Sequence, residues 1–153
     1  MAATWTGRLD VARVLPATYA VFALAAGGRS TVQLATHASR APLAYTLSAL
    51  AALVYLAGLI ALLRAGSGPR AHRVAAVVCM VELVGVVGVG AASLLDPRAF
   101  PDDTIWSRFG SGYGFVPDVL PVLALLWLRT DHHADSVKVA PGARVSARDT
   151  PRI

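Results

Sequence analysis

Hydrophobic residues fall into four blocks along the chain, separated by short clusters of arginine, glycine and proline. The first block opens at Val11 or Val14 and is clean to Ala26; Gly27, Gly28 and Arg29 interrupt it before Val32 to Ala35 resume at helical spacing. A clean stretch that short cannot cross ~30 Å of hydrocarbon at ~1.5 Å per residue, so a spanning helix must run on to about residue 36. Arg29 is then expected in the outer interface, with its stem in the apolar layer and its guanidinium reaching for the headgroups. A cleavable signal peptide is the rival reading of this block, since Arg8 and Arg13 precede an apolar core that ends in small residues.

The second block, 43–63, has no charge and no proline once Pro42 has opened its first turn. The third, 74–95, is as long but contains Glu82 and three glycines, Gly85, Gly88 and Gly90. These glycines read as close-packing positions between membrane helices. Residues 96–114 form a loop that mixes Pro101, Asp102 and Asp103 with Trp106, Phe109 and Tyr113. Aromatics of this kind favour the headgroup layer, so Trp106, Phe109 and Tyr113, with Arg29, are expected as interfacial anchors. The fourth block, about 112–129, is short and holds Pro117, Asp118 and Pro121, and crosses only by starting near Gly112 or where the bilayer thins. Residues 130–153 are polar and read as a solvated, disordered tail.

The pattern predicts an all-α, polytopic transmembrane bundle of four helices (about 11–36, 43–63, 74–95 and 112–129). A ten-residue N-terminus, 1–10, precedes it and the tail, 130–153, follows it. Composition agrees: only 15% of the 153 residues are Asp, Glu, Lys or Arg, and the mean hydropathy is +0.57. A soluble chain this small has too little interior to hide so much apolar surface, whereas a bilayer accepts it as solvent. The net charge of +5 is no nucleic-acid signature, because the basic residues lie between and beyond the apolar blocks. With both termini in the cytoplasm, ten basic residues fall inside and four (Arg29, Arg40, Arg98, Arg108) outside, and this bias sets the expected orientation in a cell membrane. The loop between helices 3 and 4 is then exterior. Cys79 is the only cysteine, which excludes an intrachain disulfide.

Glu82 is the residue with the most to explain, since a carboxyl in a spanning helix costs ~3 kcal/mol unless it faces protein or water. Counting about eight residues from the cytoplasmic end of its helix puts it ~12 Å deep, level with Tyr19 and Tyr55 and within a turn of Asp118. Two readings follow. Glu82, Asp118, Tyr19 and Tyr55 form a proton- or cation-coupled site, or a protonated Glu82 is interhelical glue, hydrogen-bonded to Tyr19 or Tyr55. Asp131, His132, His133 and Asp135 resemble a metal site only on paper, because adjacent histidines point to different sides of a helix and a tail preorganises nothing. No metal, cofactor or catalytic residue is expected: no nucleophile motif or phosphate loop is present.

Two stretches, Arg40-Ala-Pro-Leu-Ala-Tyr-Thr-Leu-Ser-Ala-Leu and Asp103-Thr-Ile-Trp-Ser-Arg-Phe-Gly-Ser-Gly-Tyr-Gly-Phe-Val-Pro, resemble a group of small four-helix integral membrane proteins of high-GC Gram-positive bacteria. The resemblance covers most of residues 8–129. It implies the four-helix fold and a bacterial envelope but no catalytic residues, and in that group the Asp118 position is usually apolar. The expected function is a non-enzymatic accessory or assembly subunit of an envelope complex, in contact with the lipid bilayer and with a membrane-protein partner or a second copy, and not with nucleic acid. The alternative is a small proton- or cation-coupled transporter that uses Glu82.

Overall fold

The computed structural model describes residues 3–37 and 39–138, with side chains from 11–37 and 39–130. It is all-helical. The α-helices are α1 (Ala3–His37), α2 (Pro42–Arg64), α3 (Pro69–Leu95) and α4 (Val116–Lys138), joined by a 3-10 turn at Ala65–Ser67 and a kinked 3-10 segment at Ser107–Tyr113. Three stretches, Val11–His37, Pro42–Ser67 and Pro69–Leu95, are long and apolar enough to cross a membrane. Ser107–Tyr113 and Val116–Thr130 together pass the same test as one span bent by 98°. Leu24 (77% exposed), Leu53 (63%) and Val84 (66%) face outward from the long helices, a surface suited to hydrocarbon and not to water.

Local chemistry explains the boundaries. Pro42 and Pro69 each stand in the first turn of their helix, where a missing N–H costs nothing. Gly68, at φ +139°, turns the chain between α2 and α3 with a backbone that a side chain would resist. α3 ends at Leu95, ahead of Asp96 and Pro97. α1 begins at Ala3, so residues expected to precede the first span already belong to its helix. α4 likewise continues to Lys138, into the region expected to be a disordered tail, because nothing between Thr130 and Lys138 breaks a helix. The His132–His133 pair lies where side chains are outside the described residues.

Each helix packs on its neighbour in the chain, α1 on α2, α2 on α3 and α3 on α4, whereas α1 and α4 barely meet. The α1–α2 seam is the tightest. Ala26, Ala44 and Ala51 are buried, and the ring of Tyr19 lies against the bare backbone of Gly58. Small residues admit this approach, and in lipid close packing supplies much of the association that the hydrophobic effect supplies in water.

Between α3 and α4 the chain does not lie out along the bundle end but folds into it. Thr104, Ile105, Trp106 and Ser107 are all buried. The Thr104 N–H donates to Ser107 Oγ (2.8 Å) and the Trp106 N–H to Thr104 Oγ1 (3.1 Å), so the inserted backbone finds acceptors within its own turn. The Arg108 N–H donates to Ser93 Oγ on α3 (2.9 Å). Arg108 and Phe109 take left-handed φ values of +51° and +59°, a conformation that costs about 1–2 kcal/mol per non-glycine residue and persists only where the surroundings hold it.

Candidate functional site

Six positions on one stripe of α3 turn inward: Ala75, Cys79, Glu82, Val86, Gly90 and Ser93. The spacing is that of a single helical face. Glu82 stands midway along this helix, which starts at Pro69 and not at Val74. Its side chain is fully buried. The Tyr19 hydroxyl on α1 donates to Glu82 Oε2 at 2.6 Å, and the same hydroxyl lies 3.7 Å from Cys79 Sγ. Glu82 Oε1 has no hydrogen-bond partner among the described residues.

Of the two tyrosines that the depth count offered, Tyr19 is bonded to Glu82 and Tyr55 is not. Tyr55 on α2 is also fully buried, but its oxygen accepts the indole N–H of Trp106 at 2.9 Å. The Tyr19 and Tyr55 rings meet edge to face with centroids 6.1 Å apart, and Trp106 packs edge to face on Tyr55 at 6.4 Å. Three helices and the inserted loop thus converge on one polar and aromatic node.

Asp118 does not join it. It occupies the first turn of α4, at the end where the loop enters, and makes no side-chain hydrogen bond or ion pair among the described residues. The buried α4 residues are Pro117, Leu120, Pro121, Ala124 and Leu128. The expected pair of carboxyls at one depth is therefore not formed, because α4 starts at Val116 and leaves Asp118 at the helix end.

Of the residues expected as interfacial anchors, Trp106 is inserted in the bundle, and Arg29, Phe109 and Tyr113 make contacts within the protein. Trp106 is only 2% exposed, buried in the bundle and not laid on its rim, with its ring against Gly85. Phe109 lies against Gly90. The Tyr113 hydroxyl accepts from Arg29 Nη1 (3.1 Å), and Arg29 Nη2 donates to the Asp103 carbonyl (2.9 Å). Arg29 is thus a clamp from α1 onto the loop. Tyr45 at the start of α2 donates its hydroxyl proton to Asp102, which also pairs with Arg40 at 3.6 Å. The Arg108–Asp103 pair, 3.8 Å and exposed, adds little.

Cys79 and Ser93 were legible as members of the Glu82 stripe, being three residues before it and eleven after. The seating of Trp106 on Gly85 was not, since nothing in the order of residues links a loop indole to one particular helix glycine. Among the described residues, no group of three or more His, Cys, Asp and Glu side chains is placed to hold a metal ion. No family model matches the chain, and no curated protein or solved structure shows significant similarity to it.

Proposed function

We propose that this chain is a non-enzymatic membrane subunit whose α1–α4 groove seats an apolar helix of a partner membrane protein. The observation that supports this reading is the groove itself, about 470 Å³ and lined by Val11, Val14, Leu15, Leu123, Leu126, Trp127 and Thr130. The indole nitrogen of Trp127 is buried there with no hydrogen-bond acceptor among the described residues. A helix laid between α1 and α4 completes the packing that these two leave open, and a carbonyl or hydroxyl on it satisfies the indole N–H. The polar groups at the centre bond mostly to one another, as interhelical glue does: Tyr19 to Glu82, Trp106 to Tyr55.

Native mass spectrometry on protein solubilised from its own host's membranes tests the assignment. The expected complex is heavier than the 15.9 kDa chain, contains a second polypeptide in fixed ratio, and loses it when Leu126→Arg charges the groove. A mass equal to the lone chain, or an assembly of this chain alone, defeats the reading.

The proposed topology has four crossings, both termini in the cytoplasm and the α3–α4 loop at the exterior end, in line with the ten-to-four basic bias. The fourth crossing is the bent pair. α4 is short before Arg129, and the segment Ser107–Tyr113 leads into it from the exterior end at a bend of 98°. Non-helical backbone is tolerated at this end because Thr104–Ser107 is buried in the bundle and bonded within its own turn. Ser67 and Ser111 are both exposed and suit a labelling test. In a Cys79→Ser background, a cysteine at 111 is expected to react with an impermeant maleimide from outside intact cells and a cysteine at 67 only after permeabilisation. The opposite pattern inverts the topology.

A further inference from the structure

Two complementary surpluses face the same core. Glu82 Oε1 lacks a hydrogen-bond partner among the described residues, on a side chain that is wholly buried. The Tyr55 oxygen accepts from Trp106, and among the described residues no acceptor takes the proton of that hydroxyl. The titratable groups around Glu82 are Tyr19 from α1, Tyr55 from α2 and Cys79 one turn earlier on α3. α4 contributes Leu120, Ala124 and Leu128, and the loop contributes Ile105 and Trp106. Among the described residues no cationic side chain pairs with Glu82, so any positive charge that neutralises it comes from outside this set.

We propose that Glu82 is a reversible proton-binding site whose occupancy is coupled, through Tyr55, to the seat of Trp106 and so to the inserted α3–α4 loop. With the proton bound, Oε1 carries it, because Oε2 already accepts from Tyr19. When the proton leaves to bulk water, Oε1 becomes an anionic acceptor, and the Tyr55 hydroxyl turns to donate a hydrogen bond to it. The carboxylate is then held by two phenolic donors in place of water. A hydroxyl that donates to an anion is a stronger acceptor, so the Trp106-to-Tyr55 bond tightens when Glu82 is ionised. None of Glu82, Tyr19, Tyr55 and Trp106 lines the α1–α4 groove, and the inference stands whether or not that groove seats a partner.

The test uses the full chain with Trp5→Phe and Trp127→Phe, leaving Trp106 as the only indole, reconstituted in phosphatidylcholine vesicles. Infrared difference spectra of the protonated-carboxyl stretch and the Trp106 emission are recorded together from about pH 5 to about pH 9, a window that spans shifted carboxyl groups. The expected result is loss of one carboxyl band as pH rises, with a shift of Trp106 emission at the same midpoint. Both changes vanish in Glu82→Gln. Tyr55→Phe keeps the band and loses the emission shift, which covers the case in which Glu82→Gln fails to fold. A band absent at every pH, a Trp106 shift that survives Glu82→Gln, or coupling that survives Tyr55→Phe overturns the proposal. So does a band that responds at fixed pH to exchange of choline for sodium, because the site would then bind a metal cation.

Discussion

Replacing Trp106 with alanine is expected to destabilise the bundle by about 3 kcal/mol or more, the range for truncation of a buried tryptophan. Its ring fills space that Gly85 leaves empty: a Cβ on that glycine would lie 2.8 Å from the indole. Truncation opens a hole at that point, withdraws the N–H from the Tyr55 oxygen and removes the edge contact with the Tyr55 ring. It also frees a loop in which Arg108 and Phe109 hold left-handed backbone against their preference. Trp106→Phe keeps most of the ring and loses only the hydrogen bond, and should cost about 1 kcal/mol. Unfolding by sodium dodecyl sulfate in mixed micelles, followed by circular dichroism, measures both. Trypsin cleavage at the exposed Arg108 reports the loop directly and should accelerate sharply in Trp106→Ala and little in Trp106→Phe. Equal, small effects from the two variants would mean that the indole does not hold the loop.

The helical blocks were legible because lipid imposes a simple rule on sequence. A crossing needs a long apolar run, and 43–63 and 74–95 announce themselves by length alone, with their helices lying at Pro42–Arg64 and Pro69–Leu95. Glu82 was legible as the residue needing a partner for the same reason, since its cost in an apolar run is evident without any structure. Which partner it has depends on how far each helix is rotated and shifted, and depth counted from the ends of apolar runs carries an error of a turn or more. α3 begins five residues before its apolar run, so counts from the run and from the helix start differ by about 7 Å along the axis.

The loop resisted sequence reasoning for a different reason. Trp106, Phe109 and Tyr113 have the composition of a headgroup belt, and composition does not distinguish an aromatic lying on the rim from one inserted in the bundle. The choice is made by the receiving surface. Gly85 and Gly90 leave the α3 face flat enough to accept a ring, and Ser93 supplies an acceptor for the loop backbone. Asp118 went astray through the same loop, which turns by 98° into α4 and so sets the level of that helix's first turn.

Gly58→Ala is expected to cost about 2 kcal/mol, within the ~1–3 kcal/mol typical of overpacking, for a gain of one methyl group. A Cβ at this position would lie 2.5 Å from Cε1 and 2.7 Å from Cδ1 of Tyr19, and what it meets is the side of an aromatic ring, not a flexible chain end. That ring cannot swing away cheaply, because its hydroxyl is bonded to Glu82 at 2.6 Å and its edge rests on Tyr55. Either α1 moves off α2 or the Tyr19–Glu82 bond breaks and leaves a buried carboxyl with neither oxygen satisfied. Gly88→Ala is the matched control, since nothing lies within 4 Å of a Cβ there. It should be neutral or stabilise by up to ~1 kcal/mol through helix propensity. The decisive measurement is a double-mutant cycle with Tyr19→Ala, which removes the ring that the new methyl meets. In that background Gly58→Ala should cost close to nothing, so that the coupling between the two sites accounts for nearly the whole penalty. A Gly58→Ala penalty that stays the same with and without the Tyr19 ring would show that the glycine is needed for some reason other than the α1–α2 contact at Tyr19.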